Sequence, residues 1–118
     1  MREMFEAFVR RDLDAALALL HPECEWRPAV TGRRAGRAEP YRGHAGVRRY
    51  FQDVDAVWDE FIVEPRDYRA VTGAVVIFGR VRGRIGEERT DVPVMWMWRL
   101  RDGLVYSGTV YAVEEPRG

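Results

Sequence analysis

Three side chains have the chemistry of proton carriers: His44, Asp91 and Tyr111. His44 stands just before a predicted helix. Because the N-terminal dipole of a helix disfavours a positive charge, its imidazole would stay neutral and could act as a base. Asp91, on a predicted strand, is a second candidate base, and Tyr111 could donate a hydrogen bond. Beside an apolar slot, these groups would suit a cofactor-independent cyclase, isomerase or hydratase. The alternative for His44 is that it only caps the helix and faces water.

The composition excludes several other kinds of chemistry. All 19 basic residues are arginines and 19 residues are acidic, so we expect no nucleic-acid partner, no membrane partner and no Schiff-base lysine. Cys24 is the only cysteine, and His21 and His44 lie far apart, so neither a disulfide nor a metal site is expected. No cofactor is expected either. The lack of a signal-peptide pattern and of an apolar run of about 20 residues predicts a cytoplasmic protein.

The N-terminal half has the apolar periodicity of helices. Two short helices are expected first, the second beginning at Asp12, a suitable N-cap, and stopped by Pro22. Alternation over residues 23–27 predicts a strand. Residues 28–43, rich in Pro, Gly and Arg, predict a long surface loop of the kind that often forms a pocket rim. A third, amphipathic helix is expected over about residues 45–60.

The C-terminal half has the pattern of strands joined by tight turns. The expected strands cover residues 61–71, 74–85, 89–101 and 104–113. Pro65 would place the first of them at a sheet edge or in a bulge. Helices followed by hairpins predict an α+β fold of one domain, residues 1–118, in which helices cover one face of an antiparallel sheet.

The register of the last hairpin has two possibilities. Asp102-Gly103 is a strong hairpin signal. A two-residue turn would place Trp98 opposite Ser107, whereas a three-residue bulged turn would place it opposite Tyr106. The sequence leaves both open.

An ordered set of short motifs runs along nearly the whole chain. They are Met4-Phe5-Glu6-Ala7-Phe8, Arg11-Asp12-Leu13-Asp14-Ala15-Ala16, His21-Pro22-Glu23 with Trp26, Tyr41-Arg42-Gly43-His44-Ala45-Gly46-Val47, Trp58 to Phe61, Glu64-Pro65, and Leu100-Arg101-Asp102-Gly103. The set resembles the SnoaL-like branch of the nuclear transport factor 2-like superfamily. That resemblance implies a cone-shaped α+β barrel in which a curved, antiparallel or mixed sheet wraps around the N-terminal helices. It also implies a homodimer with a ligand cavity at the open end of the cone.

The resemblance does not by itself supply a reaction, because this superfamily includes both enzymes and non-catalytic binders. A ketosteroid isomerase needs a carboxylate base and two acidic donors. The positions that the resemblance assigns to them hold Arg27, Met4 and Met95, none of which can play those parts. We therefore exclude a ketosteroid isomerase.

Epoxide hydrolases of the superfamily use an Asp-Arg-Asp arrangement. Arg80 and Arg82, at strand spacing, and Asp91 on the next strand offer similar groups. The alternative is that these arginines, with Arg84, form one solvated face of a half-exposed strand and pair with Glu87, Glu88 or Asp91.

Aromatic and methionine side chains are the candidates for lining the cavity. Met95 and Met97 alternate with Trp96 and Trp98, so one pair faces the cavity and the other faces away. Because the resemblance places a catalytic side chain of relatives at Met95, we expect the methionines to face inward. The expected wall is Trp26, Trp58, Phe78, Met95 and Met97. A sheet that is apolar on both faces also needs a cover, which a homodimer through the sheet face would supply.

Two functions remain open from the sequence. One is the binding of a small apolar or aromatic molecule without turnover. The other is a cofactor-independent enzyme that uses His44 or Asp91 as acid or base and Tyr111 as donor. The two differ in whether His44 and Asp91 converge on the cavity. An interaction module that binds a different protein through the sheet face is a third, weaker possibility.

Overall fold

The computed structural model describes residues 2–113 of the chain. Its elements are α1 (Arg2–Val9), α2 (Leu13–Ala18), β1 (Leu20–Arg27), α3 (Thr31–Arg34), β2 (Tyr41–Arg42), α4 (Gly43–Val57), β3 (Glu60–Val71), β4 (Ala74–Ile85), β5 (Glu88–Arg101) and β6 (Leu104–Ala112). Every helix in this part of the chain falls short of the length and apolar character that a membrane span requires.

The six strands form one curved sheet in the order β2-β1-β6-β5-β4-β3. Strand β1 runs parallel to β6, and the other neighbouring pairs are antiparallel, so the sheet is mixed. Helix α4 packs against β1, α1 against β3, and α2 against both β1 and α4. The expected α+β fold, a curved sheet around N-terminal helices, is confirmed.

Asp12 separates the first two helices as expected. Its Oδ1 accepts a hydrogen bond from the backbone N–H of Ala15 at 3.1 Å, as a helix N-cap should. The expected end of α2 at Pro22 is wrong, because the helix stops at Ala18 and β1 already begins at Leu20. Pro22 is tolerated inside β1 because the β1–β6 register is irregular between Leu20 and Glu25.

Helix α4 begins and ends earlier than its apolar pattern predicts, covering Gly43–Val57. Trp58 leaves the helix with extended backbone angles, φ −100° and ψ 134°. Its indole Nε1 donates a hydrogen bond to Thr31 Oγ1 at 2.9 Å. The expected loop over residues 28–43 therefore contains regular secondary structure, namely α3 and β2. Its Thr31 side chain is hydrogen-bonded to Trp58 at the end of α4.

Pro65 marks both an edge and a bulge. Strand β3 is the last strand of the sheet, and its register with β4 shifts between Pro65 and Asp67. Proline has no N–H to donate, so it is accommodated at a position where the ladder is already interrupted.

The Asp102-Gly103 hairpin adopts neither of the two registers derived from the sequence. Its turn has two residues, with Arg101 opposite Leu104, but a bulge between Arg99 and Leu100 places Trp98 opposite Gly108. Asp102 and Gly103 have φ of 55° and 76°, which Asp-Gly adopts at low cost. The bulge therefore places the large indole of Trp98 opposite Gly108, which has no side chain.

Candidate functional site

A cavity of about 80 Å³ lies between the concave face of the sheet and helices α1, α2 and α4. Aromatic side chains dominate its wall. They are Phe5, Phe8, Trp26, Tyr50, Phe51, Trp96 and Trp98. Each comes from the inward-facing stripe of a helix or from alternate positions of a strand, so the apolar periodicity of the sequence is what builds this surface.

A second chamber of about 40 Å³ adjoins the first. Segment 28–31 borders it, as do Trp58 and the central residues of β4 and β5. Trp26, Tyr50, Val63 and Trp96 line both spaces and form the partition between them.

Aromatic packing holds the wall in place. The Phe5 ring stacks on Trp98 with centroids 4.9 Å apart and meets Trp96 edge to face at 5.0 Å. Trp26 meets Tyr50 edge to face at 5.5 Å. Offset-stacked and edge-to-face pairs are the favoured aromatic arrangements, so these rings fix one another's orientation.

Few polar groups reach the partition. The indole Nε1 of Trp26 is buried and makes no hydrogen bond of ordinary length and angle, but it lies close enough to the Tyr50 hydroxyl to act on it as a donor. The hydroxyl of Tyr50 lies nearby. Burial raises the pKa of Tyr50, and the neighbouring Trp26 indole and Thr31 hydroxyl partly offset that rise. The Tyr50 hydroxyl is therefore neutral and able to donate.

Cys24 also lines the first cavity and is only 1 % exposed. Burial raises the pKa of its thiol, because a thiolate would lose its hydration there. The side chain is therefore a neutral thiol and behaves as a small apolar residue.

The expected inward orientation of Met95 and Met97 is wrong. On β5 the buried residues are Val94, Trp96 and Trp98, and neither methionine lines a cavity. The physical reason is strand alternation combined with the β4–β5 register, which pairs Arg82 with Asp91. Met95 and Met97 follow Asp91 at even spacing and must share the outer face with these charged side chains.

Phe78 is also outside the cavity, contrary to expectation. It pairs with Met95, which pairs in turn with Tyr111, so these three form a row across the outer face of β4, β5 and β6. Phe78 is 43 % exposed and Tyr111 is 46 % exposed. Of the expected wall, Trp26 lines both chambers and Trp58 lines the second.

The candidate proton carriers do not converge on the cavity. His44 lies in the first turn of α4, and its Nε2 is 3.0 Å from the backbone oxygen of Leu20, an acceptor that requires Nε2 to carry the hydrogen. Asp91 accepts a hydrogen bond from Arg80 at 2.8 Å on the outer face, where its side chain is 55 % exposed. Tyr111 lies on that same face. None of the three lines either chamber.

The outer face also contains the arginines that resembled an epoxide hydrolase site. Arg80 pairs with Asp91, and Arg82 pairs with Glu64 on the edge strand β3. Both are ion pairs between strands on a solvated surface. The alternative interpretation named Asp91 as a partner, but it did not include Glu64.

Sequence analysis missed a buried polar cluster around Asp53 of α4, whose side chain is 12 % exposed. The Tyr41 hydroxyl donates to Asp53 Oδ2 at 2.6 Å, and Arg37 Nε donates to the same oxygen at 2.9 Å. These bonds fasten the segment before β2 to α4. The sequence contained one sign of this cluster. Asp53 follows Tyr50 by three residues and precedes Val54, so its carboxylate falls on the apolar stripe of the helix, where a charged group needs partners.

The cluster shifts two pKa values. The hydrogen bond from Arg37 is the main cause that lowers the pKa of Asp53, against the opposing effect of burial. Burial, followed by the hydrogen bond to Asp53, raises the pKa of Tyr41 to about 12. Neither Asp53 nor Tyr41 lines a chamber, so this cluster supports the loop that borders the second chamber.

Residues 2–113 contain no group of three or more His, Cys, Asp or Glu side chains placed to hold a metal ion.

Comparison with known proteins identifies the family and the fold. The family model described as "SnoaL-like domain" matches residues 1–108. No curated protein matches the chain in sequence. Solved structures similar to it include an NTF2-like protein of unknown function from Burkholderia pseudomallei, with 24 % identity and a TM-score of 0.83, where the match covers 95 % of this chain and 86 % of the other.

Two further similar structures have more specific descriptions. TerC, co-crystallised with polyporic acid, is 22 % identical with a TM-score of 0.82, over 94 % of this chain and 86 % of TerC. A putative polyketide cyclase from Sinorhizobium meliloti is 15 % identical with a TM-score of 0.71, over 91 % of this chain and 88 % of the other. At these identities the likeness is one of fold.

Proposed function

This chain belongs to the SnoaL-like domain family, and from that premise we propose that its cavity binds a small apolar or aromatic molecule. The observation that carries the proposal is the aromatic wall of the two adjoining chambers, which includes all four tryptophans of the chain. An apolar cleft or cavity with a few fixed polar groups is the usual form of a small-molecule site.

The size of the cavity limits the ligand. One water needs roughly 10–15 Å³ of such internal space, so 80 Å³ corresponds to on the order of six waters, or a bicyclic ring system. If the partition moved, the adjoining 40 Å³ would admit a further ring or side chain. We therefore propose a ligand of about two fused rings.

The titratable groups around the cavity favour binding over acid–base catalysis. Cys24 and Tyr50 both have raised pKa values and are neutral. Glu25 contributes to the wall, but its carboxylate pairs with Arg27 at 2.8 Å and with Arg42 at 3.4 Å, both partly exposed arginines. No other lining residue among those described is a carboxylic acid or a histidine.

One structurally similar protein supports this proposal, and another supports the alternative. TerC was crystallised with polyporic acid, which shows that the same fold accommodates a small organic molecule in that protein. The putative polyketide cyclase supports the alternative, an enzyme of cyclase, isomerase or hydratase type that uses His44 or Asp91 as acid or base. That alternative needs these side chains to reach the ligand, and His44 is held by the Leu20 carbonyl while Asp91 is on the outer face.

We also propose that the protein is a homodimer through the outer face of the sheet. The row Phe78, Met95 and Tyr111 is a partly exposed apolar band. The Arg80–Asp91 ion pair beside it carries both signs of charge. A second copy offers the same band and both charges, so the face is self-complementary about a two-fold axis.

Tetralin, an apolar bicyclic molecule, is a suitable probe for the binding proposal. Because all four tryptophans line the chambers, its binding should change the intrinsic fluorescence saturably. A cavity-filling Val63→Phe variant should bind at least about tenfold more weakly, since Val63 lines both chambers. The matched control is Val71→Phe, at the 58 % exposed end of the same strand, which should bind like the wild type.

Other outcomes would decide against the proposal. A fluorescence change that never saturates, or equal affinity in the Val63→Phe variant, would mean that tetralin does not occupy the cavity. His44→Ala and Asp91→Asn should leave the affinity unchanged. A loss of binding in either variant would instead favour the enzyme alternative.

A further inference from the structure

We propose that residues 28–40 form a flap that opens as a unit over the second chamber and admits the ligand to it. The passage of a ligand rests on the proposed binding function, whereas the opening of the flap does not. The inference is carried by the position of this segment, which closes one side of the chamber and is fastened across it by polar side-chain links.

The two ends of the flap are adjacent in space. Strand β1 ends at Arg27, β2 begins at Tyr41, and Trp26 pairs with Tyr41. The chain between these strands is therefore a compact surface loop whose ends meet, which is the form of an Ω-loop. Because both ends are tied to the same place in the sheet, such a loop can change position without disturbing the strands that hold it.

The middle of the flap is held together by its own backbone. Four N–H groups, those of residues 34–37, donate to carbonyl oxygens of residues 30–33 at 2.8 to 3.1 Å. Pro28 and Pro40 stand at the two ends, and a proline has no N–H with which to bond a neighbouring strand. We therefore expect the flap to move as one body about its ends.

The inner side of the flap is one wall of the second chamber. Pro28, Ala29, Val30 and Thr31 line that chamber, and most of its other lining residues belong to strands β3 to β6. The sheet is continuous and hydrogen-bonded, so displacing a strand would break a ladder of backbone bonds. The flap is the wall that can move away at the lowest cost, and lifting it would open the chamber.

Two arginines fasten the flap from the outside. Arg34 donates to both carboxylate oxygens of Glu88, at 2.8 and 2.9 Å, and Arg37 Nε donates to Asp53 Oδ2 at 2.9 Å. The side chains of Arg34 and Glu88 are 44 % and 60 % exposed. Exposed ion pairs contribute little to stability because water replaces them readily. The Arg34–Glu88 pair is therefore a latch that can open without unfolding the sheet.

The buried side of the flap lies against Trp58. Thr31 is 2 % exposed and Trp58 is 6 % exposed, and the indole Nε1 donates to Thr31 Oγ1 at 2.9 Å. Val30 is partly buried against the same aromatic cluster. When the flap lifts, the bond to Thr31 must break and the indole N–H must meet water. The indole proton of Trp58 is thus a reporter of opening.

Hydrogen–deuterium exchange of the Trp58 indole proton, followed by NMR, tests the opening without any ligand. In the wild type it should exchange at least about tenfold faster, relative to its intrinsic rate, than the backbone amide of Trp96, which lies at the centre of the sheet. Glu88→Ala removes the latch and should raise the Trp58 rate about twofold to fivefold while the Trp96 rate stays the same. Glu87→Ala removes the same charge one residue earlier and should change neither rate.

Stopped-flow tryptophan fluorescence with tetralin tests the passage of a ligand. Because the closed flap covers the empty and the occupied chamber alike, loss of the latch should raise the association and dissociation rate constants together. Each should rise about twofold to fivefold in Glu88→Ala, with little change in Kd. Glu87→Ala should keep the wild-type rate constants.

The outcomes separate the flap from the binding function. Equal exchange at the Trp58 indole and the Trp96 amide, or an equal rise of both in Glu88→Ala, would overturn the opening of the flap. Faster exchange with unchanged tetralin rate constants would overturn its role in admitting the ligand. If tetralin does not bind the wild type, the proposed function fails and the passage of a ligand with it, while the exchange rates still decide whether the flap opens.

Discussion

The indole of Trp26 lies directly against the main chain of Gly108. A Cβ built on Gly108 would be 2.7 Å from Trp26 Cε3 and 3.2 Å from Trp98 Cδ1. Two tryptophans of the cavity wall thus depend on one glycine of β6, and the bulge in the last hairpin is what brings Trp98 to it. The geometry of the cavity is therefore sensitive to a single methyl group at residue 108.

Gly108→Ala should destabilise the protein by about 1–3 kcal/mol, because an overpacked core must shift its side chains to relieve the contact. The measurement is chemical denaturation, together with tetralin affinity, which should fall as Trp26 moves. Gly32→Ala is the control, since its Cβ would have nothing closer than 3.6 Å and should change stability little. Equal effects of the two substitutions would show that the Trp26–Gly108 contact is not constraining.

Cys24 should report directly on occupation of the cavity. The thiol lines the first chamber, is 1 % exposed and has a pKa raised by burial, so it should react slowly with Ellman's reagent in the native protein and quickly in denaturant. Saturating tetralin should slow the native reaction further. A native rate close to that of the unfolded chain would contradict the enclosed position of Cys24.

Asp53→Asn should destabilise the protein by about 1–3 kcal/mol at pH 7, because it removes the charged acceptor of Tyr41 and Arg37. The measurement is urea unfolding. Asp55→Asn is the control, since Asp55 is 68 % exposed and its ion pair with Arg11, at 3.3 Å, lies at the surface.

The same cluster predicts a dependence of stability on pH at both extremes. The pKa of Asp53 is lowered in the folded state, so its stabilisation is present above the unfolded value of 3.8 and is lost as pH falls through the lower folded value. The pKa of Tyr41 is raised from 10.0 to about 12, so its contribution is present below pH 10 and is lost as pH rises toward 12. Asp53→Asn should flatten the acid limb and Tyr41→Phe the alkaline limb. Curves that run parallel to the wild type would argue against these assignments.

Phe78→Asp should convert the proposed homodimer into a monomer, because it places a charge within the apolar row on the outer face. Sedimentation velocity at micromolar concentration measures the change. Val71→Asp, on an exposed residue near the end of β3, should remain dimeric. A wild type that sediments as a monomer, or a Phe78→Asp variant that stays dimeric, would exclude this interface.

Local signals were sufficient for most of the fold. The N-cap at Asp12, the bulge at Pro65 and the turn at Asp102-Gly103 depend on the chemistry of a few adjacent residues, and all three occur where the sequence predicts. The order of helices and hairpins then restricts the chain to an α+β arrangement. The end of α2 was mistaken because Pro22 can also occupy an irregular strand, which the sequence alone does not distinguish.

The assignment of the two faces of β5 depends on the length of one turn. The expected strands end at residue 85 and resume at residue 89, which leaves a three-residue turn. The structure instead has a two-residue turn at Gly86-Glu87, which pairs Arg82 with Asp91 and Phe78 with Met95 and so places the methionines on the charged face. The resemblance of Met95 to a catalytic position gave the wrong face, and the expected turn could not correct it because a shift of one residue exchanges the two faces.

The sequence by itself determined the class of fold, its order of elements, and the aromatic and aliphatic residues available for a core. Each of these follows from periodicity and turn chemistry over a few residues. Only the tertiary structure decided that Trp26 meets Tyr50 at the partition and that His44 is hydrogen-bonded to the Leu20 carbonyl. It also decided that Asp53 accepts hydrogen bonds from both Tyr41 and Arg37. These contacts join residues 12 to 24 positions apart on different elements, and their geometry depends on how the helices pack on the curved sheet, which no local pattern specifies.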